Sequence, residues 1–343
     1  MQLRTLGRSG LLVSEHCLGT MTFGAETPEN DAHAILDAYV SAGGTFIDTA
    51  DVYAAGESER IVGRWLAARG GADDLVIATK GRFPVGPDAR PNEQGLSRGH
   101  LTRALDASLT RLGVDHVDLY QVHAWDPLTP AEEWMVTLDG FVRAGKVRHV
   151  GVSNLTGWQL QRAAMLARTE GLSPVVTLQP QYNLLARDIE LELTDLCALE
   201  GIGLLPWSPL GGGWLTGKYR ADATPTGATR LGEDPERGVE AYAKRNVPRT
   251  YAVLAEVERI ATDHGATMAQ VALAWVGAQP NVDSTILGVR TLAQLEDNVG
   301  ALEVDLTVDE LAALDAVSAP EVPDYPYGMI RRVGAPRLAA LDG

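Results

Sequence analysis

The stretch TFIDTADVYAAGESE, residues 45–59, decides how the whole chain is read. Its front half, Thr45-Phe46-Ile47-Asp48, has the continuous apolar character of a strand buried on both faces, yet it stops on a carboxylate. A carboxylate at the lip of a core strand is costly unless a partner meets it. Two further apolar runs end in the same manner, LVIATK (75–80) on Lys80 and HVDLYQVH (116–123) on His123. If these runs are neighbouring strands of one parallel sheet, their last side chains share a rim. Lys80 is then the partner that Asp48 requires, and Tyr53, in the loop after the first run, can fold back over the same rim.

Working outward, short apolar runs recur at 15–21, 45–50, 75–80, 116–123, 149–154, 175–182, 203–209 and 284–289. Between and after them lie segments with helical apolar spacing at 31–42, 58–68, 97–112, 131–145, 157–169, 188–200, 249–278 and 291–301. Strand and helix alternating eight times imply parallel pairing and a closed (β/α)8 TIM barrel. An open doubly wound sheet is the alternative, but the chain has no G-x-G-x-x-G after a first strand. Residues 1–13 read as an N-terminal hairpin turning at Gly7-Arg8-Ser9-Gly10, and 210–248 as a long loop after strand seven. The tail caps one helix from Thr307 and then becomes too proline-rich to be regular. No linker divides the units, so residues 1–343 are expected to form a single domain.

Composition narrows the function. The 343 residues carry a net charge of −16, which argues against nucleic-acid binding. There is no apolar run long enough for a membrane span, and no signal-peptide pattern at the start. The two cysteines, Cys17 and Cys197, indicate neither a disulfide framework nor a cysteine zinc site. A cytoplasmic protein is the expectation. His16, His100, His116, His149 and His264 lack metal-ligand spacing, so no metal is expected. GGWLTGKY (212–219) approaches a phosphate-binding loop, but Tyr219 stands where a hydroxyl would hold Mg²⁺.

Taken singly, Asp48 could cap a turn, Lys80 snorkel to solvent, His123 sit in the core and Tyr53 pack. Together at adjacent strand ends they suit carbonyl reduction. A phenol has a pKa of about 10 and is a reluctant acid. A nearby ammonium favours its phenolate, and a carboxylate fixes that ammonium. His123 can donate to a carbonyl oxygen as charge develops there. Tyr53 is then the general acid, Lys80 its tuner, Asp48 the orienter and His123 the positioner, which leaves a nicotinamide to supply hydride.

At this point the chain resembles the aldo-keto reductase superfamily. LGTMTFG (18–24), TFIDTADVY with GESE (45–59), IATK (77–80), DLYQVH (118–123), GVSN (151–154), LQPQYNLL (178–185), PWSPLGGGWLTGKY (206–219) and ILGVRTLAQLEDN (286–298) follow its pattern in order. The style is nearest to the branch of bacterial aldo-keto reductases and potassium channel β subunits. The resemblance implies that Asp48, Tyr53, Lys80 and His123 form a catalytic tetrad. It also implies NADPH extended across the barrel mouth without a Rossmann fold. Ser153, Asn154 and Gln179 match residues that bind the nicotinamide carboxamide, with Thr20 and Met21 beside them, and Trp207 matches the aromatic that stacks on the ring. Ser208, Pro209, Leu210, Gly212 and Lys218 match the pyrophosphate segment. Arg290, Gln294 and Asn298 match the adenosine end, at the start of a helix, with Asp297 beside them and Gly288 standing where the family often places a lysine. Arg290 and Arg230 are the candidate cations for a 2′-phosphate.

The substrate walls are expected from Met21, Phe23, Phe83, Trp125 and Trp214, enclosing a small-molecule carbonyl compound. Tail residues Tyr325, Tyr327 and Met329 either fold as a C-terminal loop over the mouth or lie on the barrel flank. Carried with the reductase reading are an NADPH-binding regulatory or redox-sensing subunit with slow turnover, and a sugar-phosphate or hydrolytic barrel without nicotinamide. The chain is expected to be a monomer or a homo-oligomer.

Overall fold

A computed structural model of the chain describes residues 1–339. It opens with a hairpin, β1 (Leu3–Thr5) and β2 (Leu12–Ser14), in which Arg4 lies opposite Val13. The chain then runs β3 (His16–Gly19), α1 (Glu29–Ser41), β4 (Phe46–Asp48), α2 (Glu57–Arg69), β5 (Val76–Gly81) and α3 (Arg98–Leu112). It continues with β6 (Val117–Val122), α4 (Ala131–Arg143), β7 (Val147–Ser153), α5 (Gly157–Glu170), β8 (Val175–Gln179), α6 (Leu193–Glu200) and β9 (Gly203–Leu204). After α7 (Arg230–Glu233), α8 (Tyr242–Arg245), α9 (Pro248–His264) and α10 (Met268–Gly277) comes β10 (Thr285–Gly288). Helices α11 (Leu292–Val299), α12 (Val308–Ser318) and α13 (Met329–Ala339) follow.

Strands β3 to β9 pair in sequence order, all parallel, and β10 pairs with β3. Amide-to-carbonyl bonds from Leu204 to Asn281 (2.7 Å), Asp283 to Leu204 (3.0 Å) and Ile286 to Pro206 (3.0 Å) join the β9 and β10 edges. The sheet therefore closes into the (β/α)8 barrel, with every one of the eight apolar runs contributing a strand. β9 is short because Pro206 and Pro209 offer no backbone donor and Ser208 takes a positive φ of 55°.

Side-chain alternation sorts the core. Phe46, Val76, Ala78 and Leu119 face the barrel interior, while Ile47, Ile77 and Tyr120 face the helices. The hairpin plugs the end opposite the mouth. Leu6 and Val13 pack on the interior residues, and Arg4 donates to the carbonyls of Gly277 (3.1 Å) and Val282 (2.9 Å). Gly7 is required at this seat: its φ is +52°, and a Cβ would lie 2.2 Å from the carbonyl oxygen of Val176. α10 packs on β10 and α11 within the helix ring, while α9 and α12 pack on each other outside it.

Three local expectations need correction. The helical pattern at 249–278 is two helices, because Gly265 ends α9 in a left-handed cap and Thr267 opens α10 with a capping box to Gln270. The segment 188–200 begins as a 3₁₀ turn (Asp188–Leu191) and becomes α6 only after Glu192. The tail is not irregular throughout: past Pro326 the chain forms α13, which runs through Pro336 to Ala339.

Candidate functional site at the barrel mouth

The carboxyl ends of β4, β5 and β6 bring three expected side chains together. Asp48 is the last residue of β4 and points inward, one register step beyond Phe46. Lys80 comes from β5, where its fully buried side chain donates to Asp48 Oδ2 (2.5 Å), the carbonyl of Thr49 (2.8 Å) and Tyr53 Oη (3.2 Å). The three N–H groups of the ammonium are thus all used, which is how a buried charge avoids an unmet desolvation penalty. Burial alone would push the ammonium pKa down, but Asp48 and Tyr53 more than offset it and the net shift is upward. Lys80 is charged at any physiological pH.

Tyr53 starts a 3₁₀ turn (Tyr53–Gly56) directly after β4. Ala54 and Ala55 follow it with φ of 46° and 53°, a conformation that costs non-glycine residues of order 1–3 kcal/mol each and aims the ring back over the mouth. Its phenol is shifted upward, first by burial, against the attraction of Lys80 and with the repulsion of Asp48 added. The expected lowering by the ammonium is present but outweighed, so Tyr53 holds its proton at neutral pH. His123 meets Tyr53 edge-on at 5.9 Å and Phe83 at 4.8 Å between ring centres. Burial, then the charges of Lys80 and Arg82, holds its imidazole well below the usual range, so it is neutral and carries a single N–H.

Sequence reasoning missed Gln121. On β6 it donates to Asp48 Oδ1 (3.2 Å), joining Gln179 of β8 (2.9 Å), so Asp48 accepts from two amides and one ammonium. The signal was there, since Gln121 alternates with Leu119 on an apolar strand and so points into the barrel. Asp51, which the tetrad does not use, is fully buried with neither carboxylate oxygen partnered among the described residues. Burial, reinforced by Glu59 and opposed by Arg111, pushes its carboxyl up to about 7. The folded chain therefore holds this proton where the unfolded chain, with a pKa near 3.9, has lost it. Stability falls as pH rises from about 4 to about 7. Asp51→Asn should consequently gain stability over wild type above about pH 7, on the order of 3 kcal/mol, and almost nothing near pH 4. Urea melts at both ends of that range check the sign.

A cavity of about 800 Å³ opens from Tyr53, His123 and Asp48 and runs to the start of α11. Every residue expected along the coenzyme lines it, from Thr20 and Met21 through Ser153, Asn154, Gln179 and Trp207–Leu210 to Gly212, Lys218 and Arg230. Gly288, Arg290, Gln294, Asp297 and Asn298 complete its far end. Several of these side chains are engaged by the protein itself. Asn154 donates to the His123 carbonyl (2.9 Å) and accepts from Trp207 Nε1 (3.1 Å), while Ser153 donates to the Gln179 carbonyl (2.7 Å).

The cavity's donor set fits a dinucleotide with its phosphates. Lys218 and Arg230 face it with no carboxylate in ion-pair range among the described residues, and Arg230 Nε is buried without a partner. Burial lowers both cations, Lys218 further through Arg290 and Arg230 further through Arg237, with Glu26 and Glu240 offsetting only part of the shift at Arg230. Gly212 and Gly213 have positive φ, and a Cβ on either would meet Glu240 at 2.9 Å or Lys218 at 2.5 Å, so the backbone stays open to the cavity. Thr291 caps α11 by accepting from the Gln294 backbone amide, which leaves a helix N-terminus at the end of the cavity away from Tyr53.

Four of the five expected substrate walls do not line this cavity, and two of those four are buried in the core. Phe23 is fully buried in the outer core, behind the turn that Thr20 and Phe23 close. Trp214 is fully buried within the long segment after β9, stacked on Tyr242 (5.6 Å) and donating to the Glu240 carbonyl (3.1 Å). An aromatic residue in a glycine-rich loop served as that loop's own core. Met21 lines the cavity. Phe83 and Trp125 stand outside it, Phe83 against His123 and Trp125 against Trp134 and Trp158. The tail seats at the rim where α6 begins, with Tyr327 donating to Glu192 (2.6 Å), and Tyr325, Tyr327 and Met329 do not line the cavity. Among the described residues no cluster of three or more His, Cys, Asp or Glu is placed to hold a metal, and no helix is long and apolar enough to cross a membrane.

The sequence pattern of the Aldo/keto reductase family matches residues 16–319. "Protein tas" of Escherichia coli is 39% identical, covering 95% of this chain and 99% of its own length. The "Uncharacterized oxidoreductase YrpG" of Bacillus subtilis is 37% identical, covering 92% and 96%. A "Probable voltage-gated potassium channel subunit beta" of rice (Oryza sativa subsp. japonica) is 36% identical, again covering 92% and 96%. With this barrel, this rim and these matches over nearly its whole length, the chain belongs to the aldo/keto reductase family of oxidoreductases.

Proposed function

We propose that the chain is an NADPH-dependent reductase of aldehydes and ketones, built as one NADP-binding barrel domain over residues 1–343. The observation that carries the reading is the contact of Lys80 Nζ with both Asp48 (2.5 Å) and Tyr53 (3.2 Å) at the edge of the cavity. When bound, a reduced nicotinamide supplies the hydride. Tyr53 gives its proton to the carbonyl oxygen as negative charge develops there. Lys80, held by Asp48, stabilises the phenolate that remains, and the Asp48 charge is spread over Gln121 and Gln179. Neutral His123 offers its N–H to the same oxygen and fixes the angle at which the carbonyl meets Tyr53. Ser153 and Asn154 orient the nicotinamide end, while Lys218 and Arg230 take the phosphates and Arg290 the 2′-phosphate. The acidic charge and the two free, buried cysteines support a cytoplasmic setting.

Assaying NADPH consumption with a panel of aldehydes, ketones and sugar derivatives tests this. Turnover with some of them supports the reading, and no turnover with any removes it. The likeness to the rice channel subunit favours one alternative, an NADPH-binding regulatory subunit. That alternative predicts tight NADPH binding with negligible turnover across the same panel.

A further inference from the structure

The adenosine end of the cavity holds Arg230, which has no ion-pair partner among the described residues, and a cluster of four charged side chains that pair with one another. Arg290, beyond β10, donates from Nη1 and Nη2 to the two carboxylate oxygens of Glu233 in α7 (2.8 and 2.9 Å). Its Nη2 also reaches Glu26 (3.4 Å), and Glu26 accepts from Arg237 Nη1 (2.8 Å). Two carboxylates and two guanidiniums balance, so the cluster carries no net charge. A 2′-phosphate would bring about −1.5 to −2. It would also seek the planar N–H fork of Arg290 that Glu233 holds in a bidentate grip. Both cannot have that fork, so the phosphate can take it only if Glu233 lets go.

Glu233 is the carboxylate able to leave. Its side chain is 41% exposed against 19% for Glu26, and Arg290 is its only ion-pair partner among the described residues, whereas Glu26 is held by two guanidiniums. It sits at the end of the four-residue α7, inside the long segment after β9. We infer that Glu233 competes with the coenzyme 2′-phosphate for Arg290, and that this competition sets how strongly the chain prefers NADP over NAD. The inference rests on the nicotinamide reading above and adds the residue that tunes it. With Glu233 in place, the gain from the phosphate is reduced by the ion pair it must break, and NAD escapes that cost.

The test is calorimetric titration of the full chain with NADP⁺, NAD⁺ and 2′,5′-ADP, needing no turnover. Glu233→Gln should bind NADP⁺ and 2′,5′-ADP about three- to fivefold more tightly, the scale of a partly exposed ion pair, with NAD⁺ unchanged. In an Arg290→Ala background the same substitution should have no effect, which closes the cycle on this one contact. The melting temperature of Glu233→Gln should match wild type, excluding a general loosening. Unchanged or weaker NADP⁺ binding, or equal tightening for NAD⁺, would overturn the inference and leave the nicotinamide reading standing. Wild-type protein that binds neither nucleotide would overturn both.

Discussion

Replacing Tyr53 with phenylalanine should lower kcat for carbonyl reduction by about 10²–10⁴-fold and leave NADPH affinity unchanged. The substitution removes one oxygen and keeps the ring that meets His123 edge-on and lies under Lys80 Nζ at 4.9 Å. The cavity wall is therefore preserved and only the proton is lost. Steady-state rates together with a direct NADPH titration separate the two quantities. A variant that turns over at the wild-type rate would mean that another group protonates the carbonyl oxygen. Since burial keeps the phenol protonated, the acid is ready before substrate arrives. Lys80 matters chiefly afterwards, when the phenolate needs a cation.

Removing Lys80 should have the largest effect on the fold as well as on the rate. Lys80→Met leaves Asp48 buried with two amide donors and no cation, which for a broken buried pair costs about 3–5 kcal/mol. The denaturation midpoint should fall accordingly, and turnover should be abolished. The double variant Asp48→Asn, Lys80→Met takes away both charges and should recover most of the stability while remaining inactive. That outcome would show that the pair is kept for the chemistry at Tyr53 and contributes little net stability. A double variant as unstable as Lys80→Met would instead assign the pair a structural role.

What could be read in advance follows from periodicity. FIDTA, VIATK and YQVHAW each show an apolar run ending on an ionisable residue, and strand alternation then fixes which side chains meet at the rim. Gln121 obeyed the same rule and was legible in principle. The segment 210–248 has no period, so its internal order was hidden: Trp214 stacked on Tyr242, Glu240 buried in the cavity wall, and the clasp from Glu233 to Arg290. Those contacts join residues far apart in sequence through side chains whose local pattern is only polar. Phe23 failed for a related reason, since a residue in a tight turn at the mouth can face the core as readily as the cavity. The break at Gly265 carried a plain signal, a glycine two residues before a Thr-x-x-Gln box, which the long apolar period of 249–278 masked.

The central claim, that Tyr53 protonates a carbonyl as a nicotinamide hydride reaches its carbon, is tested most directly by a single-turnover reaction with NADPH carrying deuterium at both hydrogens of the nicotinamide C4. Wild-type protein mixed with a reactive aromatic aldehyde should place that deuterium on the carbinol carbon of the product alcohol. Tyr53→Phe, loaded with the same coenzyme to the same occupancy, should form the labelled alcohol slower by about the factor expected of a lost general acid. Alcohol without the label, or label transferred equally fast by Tyr53→Phe, would contradict the account.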